Sequence, residues 1–444
     1  MTVAQPVPTN IHSTGSLPKV AWGSGIYVHD AAGKTYIDGS SGPAVYCIGH
    51  GNAEVNAAIT AQLARIAHGY RYNFTSDVLE ELTEIIARRC GGTLKHMVFV
   101  TGGSEAVESC LKLALQYHFA RGETTRRRFI ARERSWHGNT LGALSVSGFL
   151  ERKQAFEGSL IDVSRLSPAN AYRPIAGATA ETAGEAAAQE LENEILRLGP
   201  DKFAAFIFEP VVGAAGGCVP APAGYARRVR EICDKYGLLM ISDEVMSGAG
   251  RCGAWRALEV DGIEPDIMAV AKGLAAGYLP LGAAIYGDKV HNAVGVPLTG
   301  HTFTGHTACC AAGVAVQKIV AREKLVERVA GNEAKFKGMI AEALSGVEAV
   351  GDIRGRGYFI ATELVADRAT KKPFPGELKL FMKVRQQALD NGLICYPVGG
   401  NVDGSNGDAV ILAPPYNASD AELDEIVSKM AKSVKQVLKA AGLG

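Results

Sequence analysis

Two short apolar runs end in residues that can do chemistry. Leu238-Leu239-Met240-Ile241 follows a turn-prone Tyr236-Gly237 pair and gives way, after Ser242, to the acids Asp243 and Glu244. Ile267 to Ala271 follows Pro265-Asp266 and ends in Lys272-Gly273. A continuous apolar run between turn residues reads as a buried parallel strand, and ligands of open α/β sheets sit beyond the carboxyl ends of such strands. The pattern therefore places Asp243 and Lys272 at the ends of neighbouring strands. A lysine amine there can form a Schiff base with an aldehyde and later shuttle a proton. A carboxylate can hold a pyridine nitrogen protonated, which makes the ring an electron sink. Those are the two demands of pyridoxal 5'-phosphate (PLP). A plain ion pair between two strand ends satisfies the same pattern.

The surrounding residues extend the pattern. LLMISDEVMSGAGRCG followed by PDIMAVAKGL resembles the signature of class III aminotransferases, the fold-type I PLP enzymes related to ω-amino acid and ornithine aminotransferases. The resemblance implies that Lys272 carries the cofactor, Asp243 pairs with the pyridinium nitrogen and Val245 packs against the ring. Gly248, Gly250 and Gly253 also spell GxGxxG, but no long amphipathic helix follows, as a dinucleotide fold requires.

Further along the chain, TGGSEAVES opens a helical pattern with Gly103 and Ser104 at its start. A glycine turn at a helix N-terminus presents free N–H groups to phosphate, and it serves equally as an ordinary cap with Glu105 and Glu108 favouring the helix dipole. Its similarity to the family's GSEANE helix implies phosphate binding by Gly103 and Ser104, with Val107 in place of the usual Asn. The family has an aromatic-His-Gly after its next strand. The match, Trp136-His137-Gly138, implies that Trp136 stacks on the cofactor with His137 behind it. Glu209, at the end of the Phe203 to Phe208 strand, falls where the family places a glutamate near the ring hydroxyl; Val212 replaces a Gln common in relatives. LTGHTFTGHT resembles HGFTYSGHP, so Thr302 takes the position that reaches the phosphate bound in a partner subunit.

The elements around these residues predict an α/β chain of the PLP-transferase fold type I. A large domain with a mostly parallel central sheet flanked by helices is expected over 61–324, and a smaller α+β domain over 325–444, completed by an N-terminal segment, 1–60. Alternating Ile26 and Val28, a turn, then Tyr36 and Ile37 read as a hairpin. Helical periodicity marks 52–67, with Val55, Ile59 and Leu63 on one face, and 77–90, 186–198, 326–345, 376–390 and 419–440. Residues 159–180 read as irregular.

Substrate contacts are less legible. Counting back from Gly49-His50 places Ala44 where related ω-amino acid enzymes carry a bulky aromatic. Two family positions supply an arginine for the substrate carboxylate; here they hold Tyr396, in ICYPVGG, and Ile411. Arg71, in the aromatic-rich HGYRYNFTSD, is the remaining candidate clamp. The resemblance implies an aminotransferase passing an amino group from an amine or ω-amino acid to a 2-oxo acid, pyruvate favoured. A decarboxylase or aminomutase on the same scaffold is the alternative. The role of Thr302 implies a homodimer or dimer of dimers.

Composition narrows the rest. Lys plus Arg and Asp plus Glu both number 46, so nothing favours nucleic acid or an anionic membrane. The nine cysteines form no CxxC pair, so no metal site is expected and a reduced cytoplasmic setting fits. The Pro- and polar-rich start lacks the basic and apolar segments of a secretion signal, and no stretch reads as a membrane span.

Overall fold

The computed structural model describes residues 17–443. The reading of the first 16 residues as arm or tail lies outside them. A seven-stranded sheet forms the centre. From edge to edge it runs His96–Val100, Gly282–Tyr286, Ile267–Val270, Leu239–Asp243, Phe203–Phe208, Arg128–Arg132 and Val163–Leu166. Gly282–Tyr286 is antiparallel to both neighbours, and the other pairings are parallel. Phe203–Phe208, Leu239–Asp243 and Ile267–Val270 lie where the sequence puts them, because continuous apolar runs have no alternative to burial on both faces. The edge strand Val163–Leu166 falls in a stretch read as irregular; Ser164 and exposed Arg165 break its apolar run.

Helix Gly103–Ala120 lays its predicted face, Val107, Leu111 and Ala114, on one side of this sheet, with Ile241, Ala269 and Ala284 beneath. Helices Ala183–Leu198 and Tyr225–Tyr236 cover the other side, where Leu191, Ile195, Val229 and Ile232 meet Phe206 and Met240. Helix Ala53–Arg65 departs from expectation at its end. Val55 is fully buried, but Leu63 is 51 % exposed.

Near the N-terminus the hairpin gains a third strand, giving Val20–Ser24, Tyr27–Asp30 and Thr35–Asp38. The last pairs in parallel with Leu393–Ile394, which joins the two chain ends. Four antiparallel strands, Val350–Arg356, Phe359–Asp367, Asp408–Leu412 and Tyr396–Gly399, carry helices Leu325–Ala343, Leu380–Asp390 and Asp420–Ala440. One apolar cluster runs from Ile26 through Leu82 and Met268 to Leu438, so the two lobes share a core. No described helix is long and apolar enough to cross a membrane.

Candidate active site

Parallel strands bring their carboxyl ends to one side of the sheet, and a cavity of about 360 Å³ opens there. Ile241 pairs with Ile267 and Asp243 with Ala269. The strand ladder, not a loop, therefore sets the spacing between Asp243 and the Lys272 segment. Both residues line the cavity, as do Gly103, Ser104, Trp136 and Glu209.

Asp243 is 3 % exposed. Its Oδ2 lies 2.7 Å from His137 Nδ1, and its Oδ1 accepts the Val245 N–H at 3.0 Å. A histidine so placed orients the carboxylate and stabilises its charge. His137 Nε2 is buried without a hydrogen-bond partner among the described residues. Glu244, the next residue, turns away from the cavity. It accepts the N–H groups of Ala257 and Leu258 and the Ser242 hydroxyl. The two adjacent acids thus divide where the strand ends at Asp243, one facing the cavity and one tying down a turn.

Lys272 is half-buried on the cavity wall at φ +43. Desolvation lowers its pKa to about 8, and the charges of Asp243 and Glu209 oppose the shift. Glu209 Oε1 accepts the Trp136 N–H at 3.0 Å and Oε2 the Gly213 N–H at 2.8 Å. With Val212 in the usual Gln position, backbone donors partner this carboxylate. Burial raises its pKa.

On the opposite wall, helix Gly103–Ala120 begins without a side-chain cap. The Glu105 carboxylate instead loops back to the N–H and hydroxyl of Thr101, at 2.8 and 2.7 Å. First-turn N–H groups have no partner within a helix, so these stay available to an anion. A Cβ on Gly102 would meet nothing within 4 Å, whereas one on Gly103 would lie 2.8 Å from Val245 Cγ1. Gly103 is thus a close-packing position that lets Val245 sit against the helix start. The Ser104 hydroxyl accepts the Asn139 N–H at 3.0 Å.

The remaining candidates lie outside this one-chain cavity. Ala44 does not line the cavity. The turn Ser41–Ala44 is kinked at Gly42 and Pro43, and it buries Ala44 at φ +64 among Val211, Phe359 and Ile411 while the next residue, Val45, faces the cavity. Ile411 belongs to that same apolar cluster, and half-buried Tyr396 packs against it. Arg71 lies outside the cavity within one chain; it stacks on Tyr72, Cζ 4.5 Å from the ring centroid, and donates to the Tyr72 hydroxyl at 2.9 Å. Thr302 is exposed and likewise outside it. Residues not anticipated from sequence include Thr101 and Leu279 to Leu281. The last three reach the site because the strand they precede is reversed, and strand direction leaves no mark on composition.

An acid and a lysine at the ends of adjacent strands, a bare helix start and an aromatic wall line one cavity. The family model for class III aminotransferases matches residues 12–434. This chain is a class III aminotransferase. An uncharacterized aminotransferase of Bacillus subtilis (strain 168) is 38 % identical over 430 residues, covering 96 % of this chain and 97 % of its own length. A gamma-aminobutyrate transaminase of Solanum lycopersicum is 33 % identical over 441 residues, covering 97 % and 83 %. Among solved structures, an omega transaminase of Pseudomonas jessenii in complex with PMP superposes with a TM-score of 0.91 at 29 % identity, covering 99 % of this chain and 98 % of that one. The fold is that of the PLP-dependent type I transaminases, and these relatives are named aminotransferases or transaminases.

Class III aminotransferases depend on PLP, and the residues here fit it. The uncapped helix start suits a phosphate, Asp243 a ring nitrogen, Trp136 and Val245 the ring faces, and Lys272 the aldehyde carbon. When bound, PLP supplies the electron sink that lets an amino group change carriers. The chain's own residues do the rest. The Asp243 carboxylate, held by His137, would favour a proton on the ring nitrogen. Lys272 Nζ, its pKa lowered to about 8 by desolvation, would take and return a proton at the substrate carbon. Apolar walls at Leu279 and Leu281 restrict water around both charges.

Proposed function

We propose that this aminotransferase moves an amino group from an amine or ω-amino acid to a monocarboxylate 2-oxo acid, pyruvate before 2-oxoglutarate, with Lys272 holding PLP covalently. The observation that carries the preference is the absence of a charge at the two family arginine positions, which hold Tyr396 and the buried Ile411. A dicarboxylate brings two charges to the site, and leaving one desolvated without a partner costs several kcal/mol. Tyr396 offers one uncharged donor and Ile411 none. The relative named for gamma-aminobutyrate, an ω-amino acid, supports the donor class.

A homodimer or dimer of dimers completes the reading. The exposed side chains of Tyr70, Tyr72, Phe74, Val296, Leu298 and Phe303 provide the apolar surface a second copy would cover, and Thr302 lies among them in sequence. All nine cysteines are free and only Cys395 is not fully buried, which suits a reducing, cytoplasmic compartment.

The test is kcat/KM for pyruvate against 2-oxoglutarate, with a panel of amine donors, in wild type and Arg71→Ala. A preference for 2-oxoglutarate of about tenfold or more overturns the substrate reading. Collapse of that preference in Arg71→Ala would show the clamp to be Arg71.

A further inference from the structure

A 2-oxo acid still carries one carboxylate, and neither family arginine position offers it a cation. A third element does. Leu150–Arg152 forms a short 3-10 turn downstream of the Trp136 segment. Arg152, exposed, lays its guanidinium on the Trp136 ring with Cζ 4.7 Å from the centroid, and 5.1 Å from the Phe149 centroid. The two rings meet edge to face at 6.0 Å, so the cation sits in an aromatic corner whose Trp136 side is a wall of the cofactor cavity.

The other polar groups of this segment are engaged. Glu151, beside Arg152 in sequence, points to Arg134, 3.7 Å away. Arg134 donates to the Gly400 carbonyl, and Lys153 to the carbonyls of Ser145 and Ser147. Among the described residues the Arg152 guanidinium has no ion pair within 4.0 Å and makes no hydrogen bond. Stacking uses the face of a guanidinium and leaves its N–H edge free, the edge that matches a carboxylate fork to fork. The cation also acts at the vacant clamp position: burial raises the pKa of the Tyr396 hydroxyl, and the Arg152 charge opposes that rise.

We propose that Arg152, stacked on Trp136, receives the substrate carboxylate, with the Tyr396 hydroxyl as a second donor. The clamp is thereby supplied from the Trp136 side of the pocket instead of from the strand-end arginine positions. One guanidinium neutralises one carboxylate. The proposal rests on the aminotransferase reading with a 2-oxo acid acceptor, and not on pyruvate being the favoured one.

The test uses the holoenzyme as wild type, Arg152→Met and Arg152→Lys, each checked for an intact thermal transition. With one amine donor, kcat/KM is measured for the best acceptor among pyruvate, glyoxylate and 2-oxoglutarate, and for butanal, which has no carboxylate. Loss of a charge-assisted hydrogen-bond pair predicts that Arg152→Met lowers the oxo acid to butanal ratio by about tenfold to a hundredfold, mainly through KM, with partial recovery in Arg152→Lys. A ratio within about twofold of wild type overturns the proposal. It would mean that Arg152 only braces Trp136 or does nothing. Propionate binding, followed by intrinsic tryptophan fluorescence, reads the same point without turnover. Weaker binding in Arg152→Met supports the clamp, and equal binding overturns it. The wild-type ranking of the three oxo acids tests the substrate preference separately, so either idea can fail alone.

Discussion

At the scale of single residues, Lys272 and Asp243 carry distinct burdens, and three experiments separate them. Lys272→Ala should abolish transfer and leave no borohydride-reducible link to the cofactor, while retaining a cooperative thermal transition; turnover at the wild-type rate would refute its role. The pKa of Lys272, lowered to about 8, gives a second expectation. Burial disfavours the ammonium form, so the neutral amine appears at lower pH than for an exposed lysine. The rate at which apoprotein captures added PLP should rise with pH and reach half its plateau near 8, not near the ordinary 10.5. A profile still climbing linearly at pH 9.5 would contradict this. Asp243→Asn should bind PLP yet lose on the order of a hundredfold or more in kcat, the loss of a positioned charge costing several kcal/mol of barrier. Most of these residues were legible because each ends, or directly follows, an apolar run that the sheet buries. Ala44 was not, because the Gly42-Pro43 kink rotates the turn by a residue in a way that counting along the chain cannot detect. Arg152 left no signal, since its partners are the aromatics of a loop with no periodicity.

At the scale of elements, two adjacent acids part where the strand Leu239–Asp243 ends. Asp243 faces the cavity, whereas Glu244 is spent on the Ala257–Asp261 turn. Glu244→Ala leaves two buried N–H groups without acceptors, at about 1–3 kcal/mol. It should lower Tm while sparing the turnover of protein that remains folded; a selective loss of kcat at unchanged Tm would show that Glu244 belongs to the chemistry. The helix start makes a complementary case. Gly103→Ala puts a Cβ 2.8 Å from Val245 Cγ1, so the valine must retreat from one cavity wall or the helix must shift. Affinity for PLP should fall about tenfold, roughly 1.4 kcal/mol, measurable by equilibrium binding to apoprotein. Helix Gly103–Ala120 was readable because its apolar face and glycine turn agree. The Val163–Leu166 strand was not, because an edge strand needs only one apolar face and a polar residue can occupy the rest.

For the molecule as a whole, the proposed second copy is the cover for its exposed apolar side chains. Leu63 at 51 % and Ile66 at 52 % exposure join Phe74 and Phe303 among the exposed large apolar side chains, so a stripe expected to be buried leaves the core. The protein should sediment as a dimer or larger species at micromolar concentration. Phe74→Asp combined with Phe303→Asp should shift it toward monomer and weaken PLP binding, because Thr302 would no longer reach a neighbour; a fully active monomer would refute both points. Sequence periodicity registers that a face is apolar, and cannot tell a core from an interface. The same limit hides the lobe boundary: a change of pattern near residue 325 marks new elements, yet the apolar cluster crosses it without a break.

The backbone of Lys272 has a consequence for how variants of this protein are chosen. At φ +43 a side-chain-bearing residue sits where L-amino acids lose roughly 1–2 kcal/mol, and its amine is held where its own charge is disfavoured. Neither burden helps the polypeptide fold. A library ranked only by heat survival of the empty protein would therefore drift toward glycine or asparagine at this position, discarding the reaction while every survivor looked improved. Directed evolution of this scaffold needs the cofactor present during selection, because only the proposed covalent tether would make keeping Lys272 an advantage.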